Sequence, residues 1–351
     1  MPTPLILLRK TFNVIIPILI SVGLCTQAVH AQSPTEINFS THDKAQAMAQ
    51  RLEAEHGIAQ AQTLGLLRQA EYLPRVVEAV KPPKTKGVRN WDNYRARFVE
   101  PYRIRKGIEF WNENADILAL AEARYNIPQA VIVAIIGVET VYGQYTGNFR
   151  VLDSLATLGF AYPEGQRDRS EFFLKELESF IALCNSTHLD ALEVKGSYAG
   201  AIGLGQFMPS SWIAYAVDGD EDGVVDLFHS RKDAIFSVAN FLKVHGWEPG
   251  KATRVLVDIQ NTEHLPELLA PDIIPTFTPA TLESKGVAVK SEALPDEKLA
   301  LIELVRGNAD TAYVAGGHNF YVVTRYNRSS FYANAVLELS EALALRKRTS
   351  D

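Results

Sequence analysis

Cysteine is almost missing from this 351-residue chain; Cys25 and Cys184 are the two it has. That excludes a disulfide framework and a thiolate metal centre. Basic charge is not in excess either. Lys and Arg number 35 against 41 Asp and Glu, for a net charge of −6. Such a surface has no general attraction for nucleic acid or an anionic membrane. There is no Gly-x-Ser-x-Gly elbow, phosphate loop, dinucleotide fingerprint or His/Cys zinc spacing, so the commonest hydrolase, nucleotide and zinc chemistries are unsupported. Internal repeats and low-complexity tracts are also lacking. The apolar run Val14–Leu24 is too short to span a bilayer comfortably and is broken by Pro17.

The chain is 47% hydrophobic, with 22% charged residues of mixed sign. This supports a sizeable core and two or three structural units. The N-terminus reads as an export signal: Arg9 and Lys10, the run Val14–Leu24, then Val29-His30-Ala31 with cleavage before Gln32. Removing residues 1–31 leaves 33 basic against 41 acidic residues, a net charge of about −8. A retained anchor and lipidation of Cys25 are the alternatives. Leu24 stands where lipidation wants a small residue. The expected product is a soluble periplasmic protein in which Cys184 is a buried structural thiol.

Apolar spacing of three and four residues predicts helices over Lys44–Ala79, with Gly57 ending the first. Residues 81–87 form a basic, Pro-containing loop, and Trp91–Tyr125 reads as two helices. Asn126-Ile127-Pro128 starts another, Gln129–Thr140, which is apolar all round from Ala130 to Val138 and therefore belongs in a core. Further helices are expected over Ser154–Leu158, Ser170–Cys184, Ser210–Ala216 and Lys232–Val244. Residues 250–318 mix turns with short strand-like runs and suggest a small separate α+β unit. Asn319–Tyr326 reads as β-rich, and Phe331–Arg346 as a closing amphipathic helix.

Four clusters carry chemistry. Glu139 follows nine nonpolar residues. Burial there disfavours its charged form and suits a glycosidase acid; the plainer reading is a residue where the helix surfaces. In Gly196–Trp212 (GSYAGAIGLGQFMPSSW) the glycines allow close backbone approach, Gln206 supplies an amide, and Ser210 or Ser211 can cap the next helix; the alternative is a helix-packing loop. Asp218–Asp226 (DGDEDGVVD) fits the first half of a calcium loop: Asp218, Asp220 and Asp222 as ligands, a backbone carbonyl from Val224, and Asp233 closing a longer loop in place of the usual glutamate. Oxygen donors suit calcium; the alternative is a solvated turn. Thr324-Arg325-Tyr326-Asn327 with Tyr332 can line a sugar groove or simply pack. His245-Gly246-Trp247 reads as a helix end with a packed indole, and Trp91 and Trp111 as core.

Taken together, Ile136–Gly143 (IGVETVYG), Gly196–Trp212, Tyr215–Leu227, Asp233–Asn240, His245–Trp247 and Asn319–Asn327 with Tyr332 resemble the B-type membrane-bound lytic murein transglycosylases and their soluble relatives. The strings run in order over roughly residues 90–340. The resemblance implies a mainly α, α+β protein with this division: a helical N-terminal region (32–90), a lysozyme-like catalytic core (91–249) with a calcium loop at 218–233, a small α+β domain (250–318) and a C-terminal segment (319–351) returning to the core. It implies Glu139 as acid/base, Ser197 and Gln206 lining sugar sites, Tyr94, Tyr326 and Tyr332 as groove aromatics, and calcium held by Asp218, Asp220, Asp222 and Asp233. The implied partner is the peptidoglycan glycan strand, bound by a monomer, with proteins of cell-wall synthesis as candidate associates. The implied reaction cuts the β-1,4 bond between N-acetylmuramic acid and N-acetylglucosamine and leaves 1,6-anhydromuramic acid. A hydrolytic muramidase and a non-catalytic peptidoglycan binder are the rival readings. Departures are Phe241, where the family has Tyr, the unpaired Arg167 and Arg169, the longer acidic loop, and the poor lipidation context.

Overall fold

The computed structural model describes residues 37–81, 90–165, 167–291, 296–307 and 309–349. The export signal, Cys25 and most of the loop at 81–87 lie outside the described residues.

The N-terminal helical stretch is three helices, Asp43–His56, Gln60–Gln69 and Pro74–Val80, the first closed by Gly57 at φ 69°. Trp91–Tyr125 holds three helices rather than the two expected: Trp91–Arg95, Pro101–Glu113 and Ala115–Tyr125. The break arises because Pro101 starts a helix at which the Glu100 carboxylate accepts the N–H groups of Tyr102 and Arg103. Gln129–Thr140 is the central helix, buried from Ala130 to Val138. It packs against Pro101–Glu113, Ala115–Tyr125, Arg231–Val244 and the C-terminal helix Ser330–Arg348. Val151–Phe160, Ser170–Thr187 and Pro209–Tyr215 complete the helical layer.

A four-stranded antiparallel sheet has the order Val287–Lys290, Arg254–Ile259, Ala309–Gly316, Ala300–Arg306. Alternating side chains divide it between two cores. Leu299, Leu301, Val255, Val287 and Ala315 pack with Leu268 and Leu282 in a small cluster. Ala300, Ile302, Leu304 and Val314 face the main helical core. Arg254 pairs with Glu338 and Glu341 of the C-terminal helix, and Arg306 with Asp92.

Asn319–Tyr326 is not a strand. His318–Tyr326 is a helix seated on Arg231–Val244 and on the C-terminal helix. Its β-branched residues favour a strand locally, but Phe320, Val322 and Val323 are fully buried here, and packing outweighs propensity.

Candidate active site

The end of the Gln129–Thr140 helix is an unusual piece of backbone. Val141, Tyr142 and Gly143 all adopt left-handed φ, at 50°, 60° and 90°. A β-branched residue there is strained by about 1–3 kcal/mol and must be held by its surroundings. The hold is visible. Val141 N–H donates to the Gly137 carbonyl at 3.1 Å and Tyr142 N–H to Ile136 at 3.4 Å, which terminates the helix. The Tyr142 ring wedges beside Gly137, where a Cβ would sit 2.5 Å from its hydroxyl. Arg103 donates to the Gly137 carbonyl at 2.7 Å, placing positive charge at the helix C-terminus. Thr140 Oγ1 donates to the Leu204 carbonyl at 2.9 Å and accepts Gly143 N–H at 2.9 Å, tying the helix end to the glycine-rich loop.

Glu139 is therefore fixed at a rigid helix end, half-buried. Burial raises its pKa from the ordinary 4.5 to about 7, against the pull of the Tyr332 hydroxyl, which donates to Oε1 at 2.6 Å and lowers it. No second carboxylate stands among these influences. Tyr94, Tyr326 and Tyr332 gather around this charge. Burial, and then Glu139 itself, raises the pKa of all three phenols. Tyr332 is only 2% exposed, so it supports the acid rather than offering a stacking face, a difference from the expected groove aromatic. Tyr326 donates to the Gly205 carbonyl at 2.5 Å and lies parallel to Tyr332 with centroids 6.5 Å apart. Phe241 packs on Tyr326 at 4.7 Å, ring to ring, without a hydroxyl to add.

The glycine-rich loop lies along the same end of the helix. Gly147 abuts Gly196 so closely that a Cβ would fall 2.0 Å from the Gly196 carbonyl oxygen. The Ser197 hydroxyl accepts the N–H groups of Ala199 and Ala201, at 3.3 and 3.0 Å, and holds the turn. Gln206, itself at φ 51°, donates to the carbonyls of Thr146 and Gly203, both at 3.0 Å. Neither Ser210 nor Ser211 caps the helix that follows. The buried Glu176 carboxylate does so, accepting Ser210 N–H at 3.0 Å and its hydroxyl at 2.7 Å.

In the acidic loop, Asp218, Asp220 and Asp222 bring one carboxylate oxygen each within 4.8 Å of one another. Asp218 accepts N–H groups from Glu221, Asp222 and Gly223, and Ser230 donates to Asp220 at 2.8 Å. Asp233 does not join them. It is fully buried, and its two oxygens accept Gly219 N–H at 2.8 Å and Asp226 N–H at 2.7 Å. It braces the loop from inside, because a carboxylate removed from water takes the nearest backbone donors. Val224 is 53% exposed. Three hard oxygen donors of this kind fit calcium.

Sequence reasoning missed Arg103, Thr140 and Glu176, which act through main-chain groups that no motif announces. Asp153, the acid nearest in sequence, is taken up by Glu71 N–H at 2.9 Å and by Arg150 at 2.7 Å. Cys184 is a free, buried thiol whose pKa burial pushes up to about 12. Trp91, Trp111 and Trp247 are core residues as expected.

Known proteins share this fold. The transglycosylase SLT domain family matches residues 40–341. The membrane-bound lytic murein transglycosylase B of Escherichia coli is 38% identical over 320 residues, covering 88% of this chain and 85% of that protein. The soluble lytic transglycosylase SltB1 of Pseudomonas aeruginosa superposes with a TM-score of 0.78 at 39% identity, over 87% of this chain and 99% of that one. The Escherichia coli lytic transglycosylase Slt35, solved in complex with calcium, gives 0.75 at 37% identity, over 88% of this chain and 95% of that one. With the family matched across most of its length, this chain belongs to the transglycosylase SLT domain family, among the lytic murein transglycosylases of the B type.

Proposed function

We propose that this enzyme, a peptidoglycan lytic transglycosylase by family, works with Glu139 as its single acid/base. The observation that carries the assignment is a half-buried carboxyl whose pKa lies at about 7, hydrogen-bonded by one phenol and with no carboxylate acting on it. Hydrolytic glycosidases ordinarily need two carboxylates. One suffices if the second nucleophile belongs to the substrate. Protonated Glu139 gives its proton to the oxygen linking N-acetylmuramic acid to N-acetylglucosamine, and that bond breaks. The positive charge at C1 of the muramic acid is met by its own N-acetyl carbonyl. The Glu139 carboxylate then takes the proton of the C6 hydroxyl, which attacks C1 and closes the 1,6-anhydro ring. Attack from within the same sugar has a high effective concentration and needs no ordered water. Tyr332 steadies the carboxyl through both steps. Ser197 and Gln206 line the sugar sites, and Tyr94 and Tyr326 wall the groove. Digestion of purified sacculi followed by mass spectrometry tests this. Ends lighter by one water are expected; a digest dominated by reducing ends identifies hydrolysis.

Calcium belongs to the same reading, since Slt35 was solved with it. Asp218, Asp220 and Asp222 would hold the ion, with the Val224 carbonyl, while Asp233 keeps the loop in shape. Bound there, calcium would neutralise converging carboxylates and stabilise the fold. The division at residues 90, 249 and 318, action as a monomer, and association with cell-wall synthesis proteins also belong to this reading. No helix among the described residues is long and apolar enough to cross a membrane. Export to the periplasm with Gln32 as the first residue rests on the basic, apolar and Val29-His30-Ala31 segments of the N-terminus, and N-terminal sequencing of the exported protein tests it: a lipidated Cys25 would refute it.

A further inference from the structure

We infer that Tyr145 and Tyr198 form an outer saccharide platform, extending the glycan cleft beyond the residues around Glu139. The inference rests on the glycan-cleaving reading and adds a subsite to it. Tyr145 is 69% exposed and Tyr198 is 41% exposed. Exposure leaves ring surface of both free to meet a ligand, and what makes the pair informative is where the backbone sets them.

The backbone places both beside the site. Tyr145 N–H donates to the Thr140 carbonyl at 2.9 Å, one residue beyond Glu139. The next residue, Thr146, supplies the carbonyl that holds Gln206. Tyr198 follows Ser197 directly, and its segment is pressed against Gly147. Phe149 and Gly196 then pair in antiparallel register. The two tyrosines thus stand on adjoining segments tied to Thr140 and Gln206. Tyr102, also 41% exposed, donates to Gln144 Oε1 at 2.8 Å and steadies the segment beside Tyr145.

The occupant is the continuing glycan strand. A hexopyranose offers an apolar C–H face and a rim of hydroxyls, and a phenol offers an apolar ring with one polar tip. Rings of this kind can grip a sugar without needing a basic patch. The segments that carry the two rings are joined to the residues proposed to hold the scissile bond, through Thr140, Gln206 and Ser197.

Calorimetric titration separates the platform from the centre. Tyr145→Ala, Tyr145→Phe and Tyr145→Ala/Tyr198→Ala are made in a Glu139→Gln background, so that bound strands stay uncut. Each is titrated with a short strand of two disaccharide repeats and with long strands released from sacculi. Tyr145→Ala should weaken long-strand binding by ~3- to 10-fold and the double variant more, at ring contacts of ordinary strength. Short-strand affinity should stay within twofold, and Tyr145→Phe should keep most of the long-strand affinity. Equal affinities for long strands across the series overturn the inference, as does an equal loss on both lengths, which would put Tyr145 in the central site. If the unsubstituted enzyme binds strands without cutting them, the catalytic reading fails while the platform stands. If long strands do not bind at all, both fall.

Discussion

Replacing Glu139 by Gln removes the proton that the reaction needs while keeping the shape. The amide oxygen can still accept the Tyr332 hydroxyl now 2.6 Å from Oε1, so the fold and the groove persist. General acid catalysis alone contributes on the order of a hundredfold to ten-thousandfold, and here the same group acts twice, so lysis should fall by at least that. The same change should stabilise the protein, in a pH-dependent way. The folded pKa of Glu139, about 7, lies above its ordinary value of 4.5. The folded state therefore binds the proton more tightly than the unfolded state, and stability is lost as pH rises from 4.5 to 7. At 1.36 kcal/mol per pH unit, the loss approaches about 3 kcal/mol above pH 7. Gln is neutral throughout and escapes it. Glu139→Gln should thus unfold at higher denaturant than the parent by about 3 kcal/mol at pH 8, and by about 1 kcal/mol or less at pH 5. Urea midpoints at both pH values, with a turbidity assay of sacculi, check the two arms. An identical stability difference at both pH values would show that the carboxyl is not held in its neutral form, and lysis within tenfold of the parent would place the acid elsewhere.

Tyr332→Phe removes the hydrogen bond that favours the ionised carboxylate, so the alkaline limb of kcat/KM should move upward from about 7; an unmoved limb in the pH profile refutes the contact. Thr140→Val removes the hydroxyl that bridges the Leu204 carbonyl and Gly143 N–H. It should lower stability by about 1–3 kcal/mol, read from denaturant midpoints at constant slope, because buried partners are left unmet. Excess calcium should raise the melting temperature over a chelated sample, and Asp220→Asn should shrink that rise; coincident melts with and without chelator would reject the ion site.

The sequence singled out Glu139, the acid proposed here, because a carboxylate at the end of nine nonpolar residues is a local anomaly, and burial acts on it wherever the helix lies. It also marked out the converging carboxylates of Asp218, Asp220 and Asp222, whose alternate spacing needs no distant partner, and the central helix, whose apolar circumference demands a core. Tertiary structure decided the rest. Asn319–Tyr326 became helical because its buried face meets two other helices, a gain that local propensity cannot register. Asp233 turned inward because the folded loop before it presents the N–H groups of Gly219 and Asp226 to a site without water. Tyr332 reaches Glu139 across 193 residues of sequence, and Arg103 and Thr140 hold the helix end through main-chain carbonyls. Such contacts depend on where the backbone passes, and the backbone's path is fixed only when the whole core packs.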